Sequence, residues 1–119
     1  MEEFVFSSKI ENQIVIIEAS GYFEAIAGNS ITQEIVNHLK AGKIKFLLDF
    51  TRIRVISSPG VAALMHVALR IQDDFRGKLV LVGLDKLKKT VLKMAGIIPI
   101  ASSAETVNDG IVLLSSSQS

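Results

Sequence analysis

The chain has 119 residues, of which 49% are apolar and 21% charged, with a net charge of +1 and no cysteine. Those values fit one folded domain with its own core, and they exclude disulfides, thiolate metal sites and a cysteine nucleophile. A balance this close to neutral gives no general pull toward nucleic acid or an anionic membrane, and with 6% aromatics and no tryptophan there is no stacking platform for bases. No apolar run reaches the ~18 residues of a membrane span. Met1-Glu2-Glu3 lacks the basic and apolar segments of a signal peptide, so a soluble, unprocessed, cytoplasmic chain without membrane insertion is expected.

Phe4 and Phe6 alternate with Glu3, Val5 and Ser7, a period of two that predicts a strand. Glu11-Asn12 reads as a turn, and Gln13 to Ala19 as a second strand closed by Gly21, so the chain is expected to open with an antiparallel hairpin. The period then changes. Ile31, Ile35 and Leu39 fall on one stripe, against Gln33, Glu34, Asn37 and Lys40, which predicts a helix from about Ala27 to Ala41, stopped by Gly42. Ile44 to Asp49 is a short continuous apolar run, the mark of a strand covered on both faces.

From Phe50 to Ile56 the chain reads as a polar crossing, and Ser57-Ser58-Pro59-Gly60 as the mouth of a helix. Serine suits the N-cap and proline the first helical position, which places Ser58 as cap and Pro59 inside a helix running to about Phe75. Apolar residues nearly encircle that helix. Its narrow polar stripe, His66, Arg70 and Asp73 or Asp74, extends back through Ala62, Ala63 and Pro59, a small smooth surface beside Ser58. Free N–H groups and partial positive charge make such a helix start hospitable to an anion.

A strand is expected over Lys78–Val82, ended by Gly83, and a helix over Lys86–Met94, capped by Asp85 and stopped by Gly96. Ile97–Ile100, with its proline, fits a short edge strand. Ser103 fits the cap of a final helix over Ala104–Leu114, in which Gly110 costs about 1 kcal/mol of propensity. The order β-β-α-β-α-β-α-β-α implies an α/β domain with a mixed sheet and right-handed crossovers.

Little here suggests catalysis. His38 and His66 lie on different helices, show no paired carboxylate, and read as solvated surface before catalyst or ligand. The phosphate-loop, dinucleotide and zinc-protease motifs are absent, as is the nucleophile elbow around Ser58. Asp73 and Asp74 point about 100° apart on a helix, which suits solvent better than a cation. Lys86, Lys88, Lys89 and Lys93 read as a solvated face before a phosphate or nucleic-acid patch. Arg52 and Arg54 fit equally a partner for a phosphate on Ser58 and plain surface arginines. Nothing names a metal, cofactor or small-molecule ligand.

The run Leu48-Asp49-Phe50-Thr51-Arg52-Ile53-Arg54-Val55-Ile56-Ser57-Ser58-Pro59-Gly60-Val61 resembles the signature of STAS domains, the anti-sigma factor antagonists of bacteria. In those a strand ends in Asp-Leu-Ser, and Asp-Ser-Ser-Gly-Leu opens the following helix. Gly21-Tyr22-Phe23-Glu24 is similar to the family's Gly-Glu-Leu-Asp, and Val91 to Ile97 to its helix-ending Leu-Gly-Leu or Ala-Gly-Leu segment, which leads on into Ile98-Pro99-Ile100 and the acidic start of the last helix. The resemblance covers nearly the whole chain. It implies a single-domain STAS-like α/β fold over residues 1–114, with a mixed sheet of about five strands, about four helices and an opening antiparallel hairpin, followed by a flexible tail at 115–119.

The resemblance also implies a role: a non-enzymatic partner switch in which the protein binds an anti-sigma factor that is also a serine kinase, and so frees a sigma factor for transcription. The kinase phosphorylates a serine, here Ser58 with Ser57 as second choice, and a phosphatase restores binding. The implied contact surface is Gly21, Phe23, Glu24, Ser57, Ser58, Pro59, Gly60, Ala62 and Ala63, with no direct contact to nucleic acid. Three positions depart from the pattern: Ser57 stands for the usual Asp, Pro59 for a second Ser, and Glu24 for Asp. The alternative implied by the family is a structural subunit, never phosphorylated, of a signalling complex or a lipid ABC-transport system.

Overall fold

The computed structural model describes residues 3–115. Strands β1 (Val5–Glu11) and β2 (Ile14–Phe23) form the expected hairpin, in antiparallel register from Val5↔Ser20 to Glu11↔Ile14. Helix α1 (Ala25–Lys40) leads to β3 (Lys45–Ile56), helix α2 (Ser58–Leu69) to β4 (Lys78–Val82), and helices α3 (Lys86–Met94) and α4 (Ile97–Ile100) to β5 (Ser102–Ala104), before the closing helix α5 (Val107–Ser115). The five strands lie in the order β1-β2-β3-β4-β5, and every pair after the hairpin is parallel.

Strand alternation assigns the two faces. Val15, Ile17, Phe46, Leu48, Phe50, Leu79 and Leu81 meet the apolar stripes of α1 (Ile31, Ile35, Leu39) and α2 (Leu64, Val67, Ala68), with Leu92 of α3 and Ile97 completing this main core. The opposite face is smaller: Ile14, Ile16, Leu47, Val80 and Val82 pack against Leu114 of α5. Phe46, Leu47 and Leu48 are therefore buried from both sides, as their unbroken apolar run predicts.

Several boundaries differ from the sequence reading. The polar crossing after Phe50 is part of β3, because β2 also runs on to Phe23 and pairs with it from Ser20↔Arg52 to Phe23↔Ile56, with a register shift between Gly21↔Ile53 and Tyr22↔Val55. Gly21 does not end β2; it stands at a register shift with φ +102°, where a Cβ would strike the carbonyl of Glu3. The helix begun by α2 continues toward Phe75 only through a π-type segment, Arg70–Asp74, closed by a bond from Gly77 N to the Ile71 carbonyl at 2.8 Å.

Ile97–Ile100 is not an edge strand. Ala101 N bonds back to the Ile97 carbonyl at 2.7 Å, folding these residues into a kinked turn, and the edge is taken by Ser102–Ala104 beside Val80–Val82. The last helix accordingly starts later and is capped by Thr106, not Ser103: the Thr106 hydroxyl accepts from Asp109 N at 3.1 Å. Gly110 is buried, and a Cβ there would lie 2.7 Å from Leu47 Cδ1, so the propensity cost of glycine allows α5 to approach the sheet. Ser115 is the last residue of α5 and not tail; residues 1–2 and 116–119 lie outside the described residues.

Candidate functional site

β2 and β3 end side by side in parallel, so the helices that follow them start side by side as well. The backbone N–H of Ser57 donates to the Phe23 carbonyl at 3.1 Å, which carries the sheet register one residue past β3. Ser57 is thereby held extended, at φ −83° and ψ 167°, and its hydroxyl accepts from Gly60 N at 3.2 Å while its carbonyl accepts from Val61 N at 2.9 Å. That is the geometry of an N-cap. The cap is therefore Ser57 and not Ser58; Ser58 is the first helical residue and Pro59 the second.

The shift by one residue separates the two hydroxyls. Ser57 is half-buried and its oxygen is occupied, whereas Ser58 is exposed and its hydroxyl has no hydrogen-bond partner among the described residues. Gly60 is buried against β2: a Cβ would collide with the Phe23 carbonyl oxygen. On α1, a Cβ at Gly28 would fall 2.5 Å from that of Ala63, so the first turns of α1 and α2 are packed almost backbone to backbone. Glu24 starts α1 without a side-chain cap, its carbonyl accepting from Gly28 N at 2.9 Å, and its carboxylate is left on the surface.

The residues implied as a contact surface thus divide. Glu24, Ser58, Pro59 and Ala62 are exposed; Ser57 and Ala63 are half-buried, Ala63 because it faces Gly28; Gly21, Phe23 and Gly60 are buried and shape the surface from beneath. The sequence reading omitted Ile26, which is 80% exposed in the first turn of α1 and is the largest apolar group at this end of the helix pair. It was legible as an isoleucine off the Ile31–Ile35–Leu39 stripe.

Arg52 does not turn toward Ser58. It lines a cavity of about 450 Å³ with Ser7, Glu18, Ser20, Asp49 and Thr51, residues of the sheet face away from α2. Asp49 there accepts from both the backbone N–H and the hydroxyl of Thr51. Arg54 is exposed on the same strand.

His38 has the carboxylate partner that the sequence reading missed. Its Nε2 lies 2.9 Å from Glu34 Oε2, and the Ser8 hydroxyl donates to the same oxygen at 2.7 Å. The Ser8 bond, then His38, hold the Glu34 carboxyl below its ordinary range against the opposing effect of burial. Glutamate sits between serine and histidine, so the hydroxyl meets a carboxylate and not the imidazole, and the cluster ties β1 to α1. His66 is exposed on α2. Of the lysines on α3, Lys88 pairs with Asp85 at 2.7 Å and Lys89 with Glu105 at 3.4 Å. Among the described residues no helix is long and apolar enough to cross a membrane.

The family model of the STAS domain matches residues 6–110. No curated protein matches the chain significantly. Among solved structures, a candidate anti-sigma factor antagonist from Thermotoga maritima superposes with a TM-score of 0.82 at 17% identity, over 92% of this chain and 94% of that one. SpoIIAA of Bacillus in its phosphorylated form gives 0.72 at 20% identity, over 92% and 98%. A variant of RsbS from Moorella thermoacetica gives 0.79 at 12% identity, over 92% and 94%. At such identities the likeness is one of fold, and the family match spans nearly all of the sequence: the chain belongs to the STAS domain family.

Proposed function

We propose that this protein is a cytoplasmic anti-sigma factor antagonist that binds an anti-sigma factor with serine-kinase activity, frees a sigma factor, and is switched off by phosphorylation of Ser58. The observation that carries the reading is the division of labour between the two serines. Ser57 supplies the cap and Ser58 projects a free hydroxyl from the first turn of a helix anchored to the sheet. A phosphate on Ser58 adds about −1.5 to −2 charges next to the N-terminal N–H groups, where a helix tolerates an anion. The fold persists while the docking surface formed by Glu24, Ile26, Pro59 and Ala62 gains charge and bulk. Ser57, the alternative phosphoacceptor, has its hydroxyl oxygen engaged by Gly60 N. A phosphatase acting on Ser58 would reset the switch.

The test is incubation with ATP and each serine kinase encoded beside the gene, followed by mapping of phosphate by mass spectrometry, with calorimetric titration of the same kinases. Phosphate is expected on Ser58, and Ser58→Asp is expected to abolish binding while leaving the circular dichroism spectrum unchanged. Phosphate on Ser57 would move the site and keep the switch; unchanged affinity of Ser58→Asp for a kinase that binds the parent would remove the switch.

A further inference from the structure

Helix α3 carries four lysines and no carboxylate, although the chain as a whole has a net charge of only +1. It buries one side chain fully, Leu92. Leu87, Val91 and Met94, at spacings of four and three, form a stripe on another side of the helix and are 73%, 38% and 83% exposed. The carboxylates near the helix, Asp85 and Glu105, are engaged by Lys88 and Lys89. Lys86 and Lys93 make no ion pair among the described residues, and at 100° per residue both lie along one flank of the apolar stripe, with Thr90 between them and it. Neither of two cavities, of about 450 and 430 Å³, is lined by α3 residues, and Leu87 and Met94 stand out into solvent.

We propose that the outer face of α3 is a docking site for an anionic lipid surface. α3 offers no strand edge for pairing, and lysines without carboxylate partners beside an exposed apolar stripe match a surface that is anionic outside and apolar beneath. A headgroup layer is fluid and closes around a convex apolar ridge. Leucine, valine and methionine enter the headgroup–acyl boundary, and the flexible stems of Lys86 and Lys93 carry their ammonium groups up to lipid phosphates or carboxylates. Free phosphate would engage the lysines and leave the apolar stripe in water, which is why the ligand is a surface and not an ion. A stripe this short gives reversible association that salt weakens.

The experiment is co-sedimentation of the full chain with phosphatidylcholine vesicles and with vesicles containing phosphatidylserine, at low and high salt. Binding is expected only to the anionic vesicles, falling as salt rises. The double variant Lys86→Gln/Lys93→Gln should reduce it about twenty-five-fold, from roughly fivefold per lysine. Leu87→Ser/Met94→Ser should reduce it at least as far. Val112→Ser, an exposed apolar residue on α5, should leave it unchanged. Equal binding to neutral vesicles, or full binding by either double variant, would overturn the proposal. So would tight binding of an acidic Leu/Glu helical peptide to a chain that ignores anionic vesicles, which would assign the face to a protein partner.

Discussion

The starts of α2 and α3 are built for the same task in opposite ways. Both follow a parallel strand, and both are capped by a side chain that accepts from a backbone N–H three residues on: Gly60 for Ser57, Lys88 for Asp85. At α3 the device is local, an exposed aspartate held by its own helix, with Lys88 Nζ 2.7 Å from the second carboxylate oxygen. At α2 it is tertiary. Ser57 is fixed by the Phe23 carbonyl, Gly60 lies on the same carbonyl, and Ala63 abuts Gly28. A local cap can fray without disturbing the sheet, whereas a cap tied to a neighbouring strand displays the next residue, Ser58, in one orientation. The variant that should break this difference most severely is Gly60→Ala. One methyl placed against the Phe23 carbonyl forces α2 away from β2 and is expected to cost about 3 kcal/mol, read as a fall in the denaturation midpoint. Thr90→Ala, an exposed change on α3, should cost little.

Removing the caps themselves is the next step down. Ser57→Ala should destabilise by about 0.5–2 kcal/mol, because it orphans a half-buried N–H. Asp85→Ala should cost less, since Asp85 is itself exposed and its bonds lie within one turn of its own helix. Chemical denaturation of the two variants checks the order; a larger loss at Asp85 would mean that the tertiary anchoring of Ser57 contributes nothing to its capping.

The two caps also illustrate how far the sequence could be read. Asp85 stands alone before its helix, so composition identifies it. Ser57 and Ser58 are adjacent and both good caps, and Pro59 suits either the first or second helical position; what decides between them is a hydrogen bond to Phe23, more than thirty residues upstream in the chain. The same distinction separates the other successes from the misreadings. The stripes of α1 and α2 and the apolar run of β3 are local patterns. The extension of β3 through Arg52 and Arg54 depends on the length of β2, and β5, made of Ser102, Ser103 and Ala104, exists because the edge of β4 accepts it. At the candidate site, Pro59 and Ala62 could be placed on the surface from helical spacing. The burial of Gly21, Phe23 and Gly60 could not, because it arises where two strand ends and two helix starts converge.

Acid should affect one cap and spare the other. Bonds from the Lys88 side chain and then its backbone hold the Asp85 carboxyl below its ordinary value of 3.8, outweighing a small opposing desolvation. A carboxyl depressed in the folded state stabilises fully above its unfolded value, and that contribution disappears as pH falls through the folded value. The Lys88 amide should therefore lose hydrogen-exchange protection as pH drops below the ordinary aspartate value, once intrinsic exchange rates are corrected for. The Gly60 amide, held by a hydroxyl that does not titrate there, should keep its own. Glu34 is also depressed, and acid weakens its tie between β1 and α1 as well, so the comparison must be read at these two amides and not from global unfolding.

The smallest expected effect is the most discriminating. If Ser58 were the cap, Ser58→Ala would cost as much as any lost cap; with Ser57 in that position the substitution removes an exposed hydroxyl that bonds to nothing described, and alanine suits the first turn. Stability is expected to stay within about 0.5 kcal/mol of the parent. Ser57→Ala and Ser58→Ala are adjacent single-atom deletions in one turn, so background differences nearly cancel and the gap between them measures the cap directly. A gap of at least about 0.5 kcal/mol, with Ser57→Ala the weaker protein, is the expected outcome. A gap of the opposite sign would return the cap to Ser58, occupy the hydroxyl that the switch requires to be free, and undo the distinction between the two helix starts.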